Sequence, residues 1–153
     1  MAYLEVFQEQ YREVYGALLE VIASLPAEAM DWPPYTNANS IAVLVTHILG
    51  NQLETLRTVS GVPTDRNRDA EFRVQGASSD SLRDLVVGAE AVMAQLTPQI
   101  TSEQLEAMIR RPSASTSEAR TGLYHLNHSI AHAREHLGQI WMTRDLWRAK
   151  SGA

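Results

Sequence analysis

Four long segments of the chain repeat their apolar residues with the 3.6-residue period of an α-helix, and none shows the alternation of a β-strand. They run from about Leu4 to Leu25, Ser40 to Ser60, Ser79 to Leu96, and Ser115 to Arg148. Proline follows soon after each of the first three and ends them. Helices of this kind bury their apolar faces against one another, so the 153-residue chain predicts one all-α domain, a four-helix bundle.

Capping residues set the predicted helix starts. Asn39 and Ser40 are both good N-caps for the second long helix. Thr101-x-x-Gln104 resembles a capping box and predicts a short helix over about residues 102–108. Ser115-x-x-Glu118 has the same pattern and predicts the start of the last long helix, with Gly122 as a weak point in its first turns. Residues 64–76 are predicted to form a polar loop.

Composition excludes several classes of protein. The chain has no cysteine, which excludes disulfides, zinc–thiolate sites, iron–sulfur clusters and cysteine nucleophiles. Its formal net charge of −5 argues against nucleic-acid binding. No apolar stretch approaches the roughly 20 residues needed to span a bilayer. The first residues lack the basic and apolar regions of a signal peptide, so we expect a cytoplasmic protein with no membrane partner.

Histidines are concentrated in the last predicted helix, which holds four of the five: His125, His128, His132 and His136. The last three share one stripe beside the aliphatic residues of that helix. Histidines four residues apart lie about 5–6 Å apart at Cβ, so two rings can converge on one metal ion at about 2.1 Å. The pairs His128/His132 and His132/His136 fit this geometry equally well.

A third ligand must come from another helix, and His47 is the only other histidine. It lies midway along the second long helix, on the flank of the apolar stripe. Three neutral imidazoles plus water make an open site of the catalytic type. Asn51 and Glu54 follow His47 at one and two turns, where either can contact a ligand or accept a proton. The alternative is that both occupy an exposed helix edge.

The segment from His125 to Ile140 resembles the last-helix signature of the DinB/YfiT-like superfamily. That signature has a histidine, three residues, a second histidine and then usually Arg-Gly-Gln; here His136 is followed by Leu137-Gly138-Gln139. Ser40-Ile41 through His47-Ile48 resembles the family's "S-I-x-x-L-x-x-H-I" context. The stretch from Leu25-Pro26 to Trp32-Pro33-Pro34 is similar to the family's linker. The resemblance selects His47, His132 and His136 as ligands, with Leu137 departing from the pattern at a position that is not a ligand.

The resemblance implies an up-and-down four-helix bundle over residues 1–150 that binds nickel or zinc and forms a homodimer. Characterised branches are thiol-dependent transferases or isomerases that use bacillithiol, mycothiol or glutathione. We therefore expect a metal-dependent thiol S-transferase acting on a small-molecule thiol and an electrophilic substrate. Asn51, Glu54, His128 and Gln139 are the further candidates for residues around the metal or the substrate pocket. Otherwise His128, like His125, is expected to be a surface residue.

Two other functions fit the same residues. A metal-dependent hydrolase would use the same three histidines with bound water as the nucleophile. A non-catalytic, dimeric stress-response bundle would retain the site without an activity. Imidazole ligands suit zinc, nickel, copper and iron alike, so the ligand set does not choose the metal.

Overall fold

Four long helices dominate the computed structural model, which describes residues 1–113 and 118–152. The long helices are α1 (Ala2–Ser24), α3 (Ile41–Val59), α5 (Ser79–Leu96) and α7 (Gly122–Ser151). The shorter elements are α2 (Ala27–Met30), α4 (Arg68–Glu71), a 3-10 turn (Thr97–Gln99), α6 (Ser102–Glu106), and the antiparallel strands β1 (Met108–Ile109) and β2 (Arg120–Thr121). The predicted all-α four-helix bundle is confirmed.

Helix direction follows from side-chain pairs along the interfaces. α1 and α3 each pack against both α5 and α7. α7 lies antiparallel to α3, as the pairs His132–His47 and Ser129–Asn51 show. It lies parallel to α1, as the pairs Ser129–Tyr11 and Arg134–Glu13 show. α1 is antiparallel to α5, with Tyr15 against Met93 and Leu4 beside Thr97. α3 and α5 therefore run in the same direction, so these two consecutive helices do not alternate as an up-and-down bundle would require. The connector of residues 60–78 returns along the bundle between them.

The core lies where the helical periodicity places it. The aliphatic stripe of α7 is buried, and so is that of α3: Leu126, Ile130, Ala133, Leu137 and Ile140 in α7, and Ile41, Leu44, Val45, Ile48 and Leu56 in α3. The Ser40 hydroxyl accepts a hydrogen bond from the Val43 amide and caps α3. Both halves of the capping box at Thr101 and Gln104 are present. None of the helices in the described ranges is long and apolar enough to cross a membrane.

The start of the last helix differs from the prediction. Ser115 lies outside the described residues, but Glu118 precedes the helix, which begins at Gly122 with Thr121 as its N-cap. Long-range packing explains the shift, because residues 120–121 pair with β1. A Cβ at Gly122 would collide with the backbone carbonyl oxygen of Gln104, so glycine permits α6 to approach α7. The predicted polar loop also differs, since it contains α4 and the buried side chain of Glu71.

Candidate metal centre

Three imidazoles from two antiparallel helices meet at one point. Nε2 of His132 lies 3.0 Å from Nε2 of His47 and 3.1 Å from Nε2 of His136. One ligand atom from each of the three residues lies within 4.8 Å of the other two. His132 and His136 are one turn apart on α7, and His47 faces them from the middle of α3. The three histidines therefore form a group that could hold a metal ion.

Hydrogen bonds at Nδ1 fix the tautomers of the two outer rings. Nδ1 of His47 lies 2.8 Å from Oε2 of Glu71, and Nδ1 of His136 lies 2.9 Å from Oε1 of Gln139. Carboxylate and carbonyl oxygens only accept hydrogen bonds, so the neutral form of each ring carries its proton on Nδ1. The Nε2 atoms of His47 and His136 then each direct a lone pair towards His132.

The third ring, His132, has no tautomer that gives both of its nitrogens a suitable partner among the described residues. Burial, and then the neighbouring His136 and His47, lower the pKa of His132 to about 3, so its ring is neutral near pH 7. Nδ1 of His132 is buried and has no partner among the described residues. A proton on Nδ1 would leave that buried donor unpaired and three lone pairs facing one another. A proton on Nε2 would be shared by two acceptors and leave Nδ1 an unpaired acceptor.

The spacing of the nitrogens fits a metal ion. Two nitrogens that are each about 2.1 Å from one ion, at angles of about 90–110°, are about 3.0–3.4 Å apart. The two measured separations, 3.0 and 3.1 Å, lie in that range. Neutral imidazole nitrogens are good ligands for nickel and zinc alike.

A buried charge cluster of Arg66, Glu71 and Glu54 adjoins His47, and the first two were not predicted from the sequence. Arg66 contacts the Glu71 carboxylate twice, with Nε 2.6 Å from Oε1 and Nη2 2.8 Å from Oε2. Its Nη1 lies 3.1 Å from Oε2 of Glu54. Burial alone would raise the pKa of Glu71, but hydrogen bonds from Arg66 and His47 outweigh it and hold that pKa below its usual value. Glu71 is therefore an ionised carboxylate.

Ser113 and Gly50 complete the surroundings of the cluster. Glu54 accepts hydrogen bonds from the Ser113 backbone amide at 3.0 Å and from the Ser113 hydroxyl. A Cβ at Gly50 would overlap the Glu71 carboxylate, so glycine leaves the space that this carboxylate fills against α3. A cavity of about 340 Å³ borders Glu71 and Arg66, but none of the three histidines lines it.

Asn51 and Glu54, predicted near the site, are both buried, contrary to the alternative of an exposed helix edge. Oδ1 of Asn51 accepts a hydrogen bond from the Ser129 hydroxyl at 3.0 Å. Because Ser129 donates there, it accepts from the Tyr11 hydroxyl, which is 2.6 Å away. Asn51 therefore belongs to a polar network one turn from the triad, whereas Glu54 connects to His47 through Arg66 and Glu71.

The remaining candidates lie on α7. Gln139 contacts His136 directly, as described above. His128 is exposed, stacks on the Tyr124 ring at a centroid distance of 5.9 Å, and lies outside the group of three. His125 is buried, contrary to the prediction, and its Nε2 contacts the Ile109 carbonyl at 3.1 Å. Leu137, which replaces the usual arginine of the resemblance, is buried in the core.

Comparisons with known proteins agree with this fold. The chain matches the family model described as "Protein of unknown function (DUF1572)" over residues 1–150. It belongs to the DUF1572 family. The fold of the chain is DinB-like. No curated protein matches this DUF1572 chain significantly.

Two solved structures share the fold of this DUF1572 protein. A conserved protein from Enterococcus faecalis matches with a TM-score of 0.76 and 18% identity, over 93% of this chain and 95% of the other. A DinB-like protein from Bacillus subtilis, YjoA, matches with a TM-score of 0.69 and 17% identity, over 91% of this chain and 90% of the other. At these identities the likeness concerns the fold.

Proposed function

We propose that this DUF1572 protein binds one divalent metal ion, nickel or zinc, through His47, His132 and His136, and that residues 1–150 form one functional unit. The observation that carries the proposal is the meeting of three Nε2 atoms, two of which have lone pairs fixed by partners at Nδ1. His132 adds support, because neither of its tautomers satisfies its buried surroundings.

The reaction we propose is transfer of a small-molecule thiol to an electrophilic substrate in the cytoplasm. When bound, a divalent ion lowers the pKa of a coordinated thiol or water, so that the nucleophile is present near neutral pH. The chain itself has no cysteine, so the thiol comes from a second molecule. The choice of thiol transfer is supported by the DinB-like resemblance. Within the chain, Glu71 and Gln139 hold the Nδ1 protons and so keep two Nε2 atoms free to bind.

Elemental analysis of protein purified without a histidine tag or chelator tests metal binding. We expect about one nickel or zinc ion per wild-type chain and none in His132→Ala, with helicity by circular dichroism retained in both. His128→Ala is the matched control, since it removes an exposed imidazole from the same helix. Equal metal content in the wild type and His132→Ala would show that the triad is not the site.

An activity panel with and without added thiols tests the reaction. Turnover that requires bacillithiol, mycothiol or glutathione supports transfer. Turnover that ignores thiol identifies the hydrolase instead, since the three histidines equally suit a water nucleophile. A purified protein that takes up neither nickel nor zinc would favour the non-catalytic bundle.

We also propose that the protein is a homodimer. Four large apolar side chains are exposed towards the C-terminal end of α7 and the α2–α3 connector: Tyr35, Trp141, Met142 and Leu146. Tyr35, Met142 and Leu146 line one groove between that connector and α7, and exposed apolar surface at such a place is typical of protein interfaces. Light scattering coupled to size-exclusion chromatography should give about twice the 17.0 kDa chain mass. A monomer mass at micromolar concentration would contradict the proposal.

A further inference from the structure

The connector of residues 60–78 places ionised side chains in the interior beside His47. The exposed fractions of the Arg66, Glu54 and Glu71 side chains are 6%, 0% and 7%. Burying an ion is unfavourable unless it is closely paired and hydrogen-bonded. Arg66 meets this requirement by contacting both carboxylates at once. Apart from these three residues, the buried polar side chains of the described residues are uncharged groups or histidines.

The cluster acts on one atom of the triad. Oε2 of Glu71 is shared by Arg66, at 2.8 Å, and by Nδ1 of His47, also at 2.8 Å. Arg66 fixes both oxygens of that carboxylate, so the carboxylate in turn fixes the ring of His47. The Phe72 ring also packs against His47, with a centroid distance of 4.7 Å. The connector therefore determines both the tautomer and the orientation of this imidazole.

We propose that Glu71 and Arg66 are positioning residues for the metal ligand His47, so that the connector of residues 60–78 is part of the metal centre. This inference rests on the proposed metal function. A carboxylate that accepts the second N–H of a ligand histidine orients the ring and increases its basicity. His136 is held more weakly, because its partner Gln139 is neutral, exposed and on the same helix.

Metal affinity measured by competition with a chelator tests the proposal. We expect Glu71→Ala to bind nickel or zinc about 10–100-fold more weakly than the wild type. Glu71→Gln keeps an acceptor for His47 and should recover part of the affinity, which a general loss of structure would not allow. Asp69→Ala is the matched control, since it removes an exposed acid from the same short helix. Its affinity should equal that of the wild type.

The tautomer of His47 provides a second readout that needs no metal. Long-range ¹H–¹⁵N correlation spectra of the metal-free protein distinguish a proton on Nδ1 from one on Nε2. We expect the Nδ1–H form in the wild type and in Asp69→Ala, and a shift towards Nε2–H in Glu71→Ala. If Glu71 only stabilised the fold, its replacement would leave the ratio of the two His47 tautomers unchanged.

The outcomes separate this inference from the proposed function. Equal metal affinity in the wild type and Glu71→Ala would overturn the positioning role and leave the triad as the metal site. An Nε2–H tautomer for His47 in the metal-free wild type would also overturn the positioning role, whereas metal uptake by the same protein would still support the triad as the metal site. If the wild type binds no metal, the proposed function and this inference both fail.

Discussion

Replacing Gly50 by alanine tests whether the Glu71 carboxylate fills the space beside Gly50. Gly50 lies inside α3, and a Cβ there would overlap Oε1 of Glu71 and come within 3.2 Å of Nε of Arg66. The atoms in its way belong to the ends of flexible side chains, so we expect the carboxylate to move and α3 to remain. Gly88→Ala is the matched control, because Gly88 lies inside α5 and its new Cβ would meet nothing within 4 Å.

The two substitutions should change the free energy of unfolding in opposite directions. Alanine is better than glycine in a helix interior by about 1 kcal/mol. Gly88→Ala should gain most of that free energy, which corresponds to a rise in Tm of about 2–4 °C for a chain of this size. At Gly50 the same gain is opposed by the loss of charge-assisted hydrogen bonds to Glu71, each worth about 1.5–3 kcal/mol. We expect Gly50→Ala to be about 1–3 kcal/mol less stable than the wild type, after partial repacking.

Urea unfolding in the presence of EDTA measures these differences without metal. The chelator competition described for Glu71 should show weaker metal binding in Gly50→Ala and unchanged binding in Gly88→Ala. The reasoning is refuted if Gly50→Ala is as stable as Gly88→Ala and binds metal as tightly as the wild type. That result would mean that Glu71 does not fill the space above Gly50.

Three further outcomes follow from the same contacts. Burial lowers the pKa of His125 below its usual 6.5, so the neutral ring stabilises the fold above about pH 6.5 and this contribution is lost as the pH falls. Between pH 7.5 and 5, the free energy of unfolding measured with urea in EDTA should therefore fall less in His125→Gln than in the wild type. An equal fall in both proteins would contradict this. Tyr11→Phe removes the hydrogen bond to Ser129 and should cost about 1 kcal/mol in the same assay, whereas no change would mean that the bond is absent. Nickel or zinc at about 100 times its Kd should stabilise the wild type by about 2.7 kcal/mol and His132→Ala not at all, measured by calorimetry, and equal shifts would contradict the triad.

The long helices could be predicted because their signals are local. Apolar periodicity, N-caps such as Ser40 and the prolines after the helices act within a few residues, so α1, α3 and α5 begin and end close to the predicted positions. The start of α7 depends instead on distant residues. Thr121 caps it, and Gly122 is required by the approach of α6, which the capping pattern before the helix does not reveal.

The choice between the two histidine pairs of α7 shows a different limit. Both His128/His132 and His132/His136 have the correct spacing, so helical geometry alone leaves the register open. The register is decided across the helix interface, by where α3 places His47 along α7. In the structure, His47 faces His132 and His136, whose nitrogens are 3.1 Å apart, and His128 lies a turn away on the exposed surface.

Arg66 and Glu71 could not be predicted, because a connector without periodicity has no face that marks its buried residues. Their position follows from helix direction. α3 and α5 run the same way, so the chain must travel back along the bundle between them, past the middle of α3 where His47 lies. In a bundle whose helices strictly alternated, a short turn would join these two helices, and no connector would pass that histidine. The position of Arg66 and Glu71 beside His47 is thus a consequence of the topology. Substituting either residue tests the path of the connector as directly as it tests the metal site.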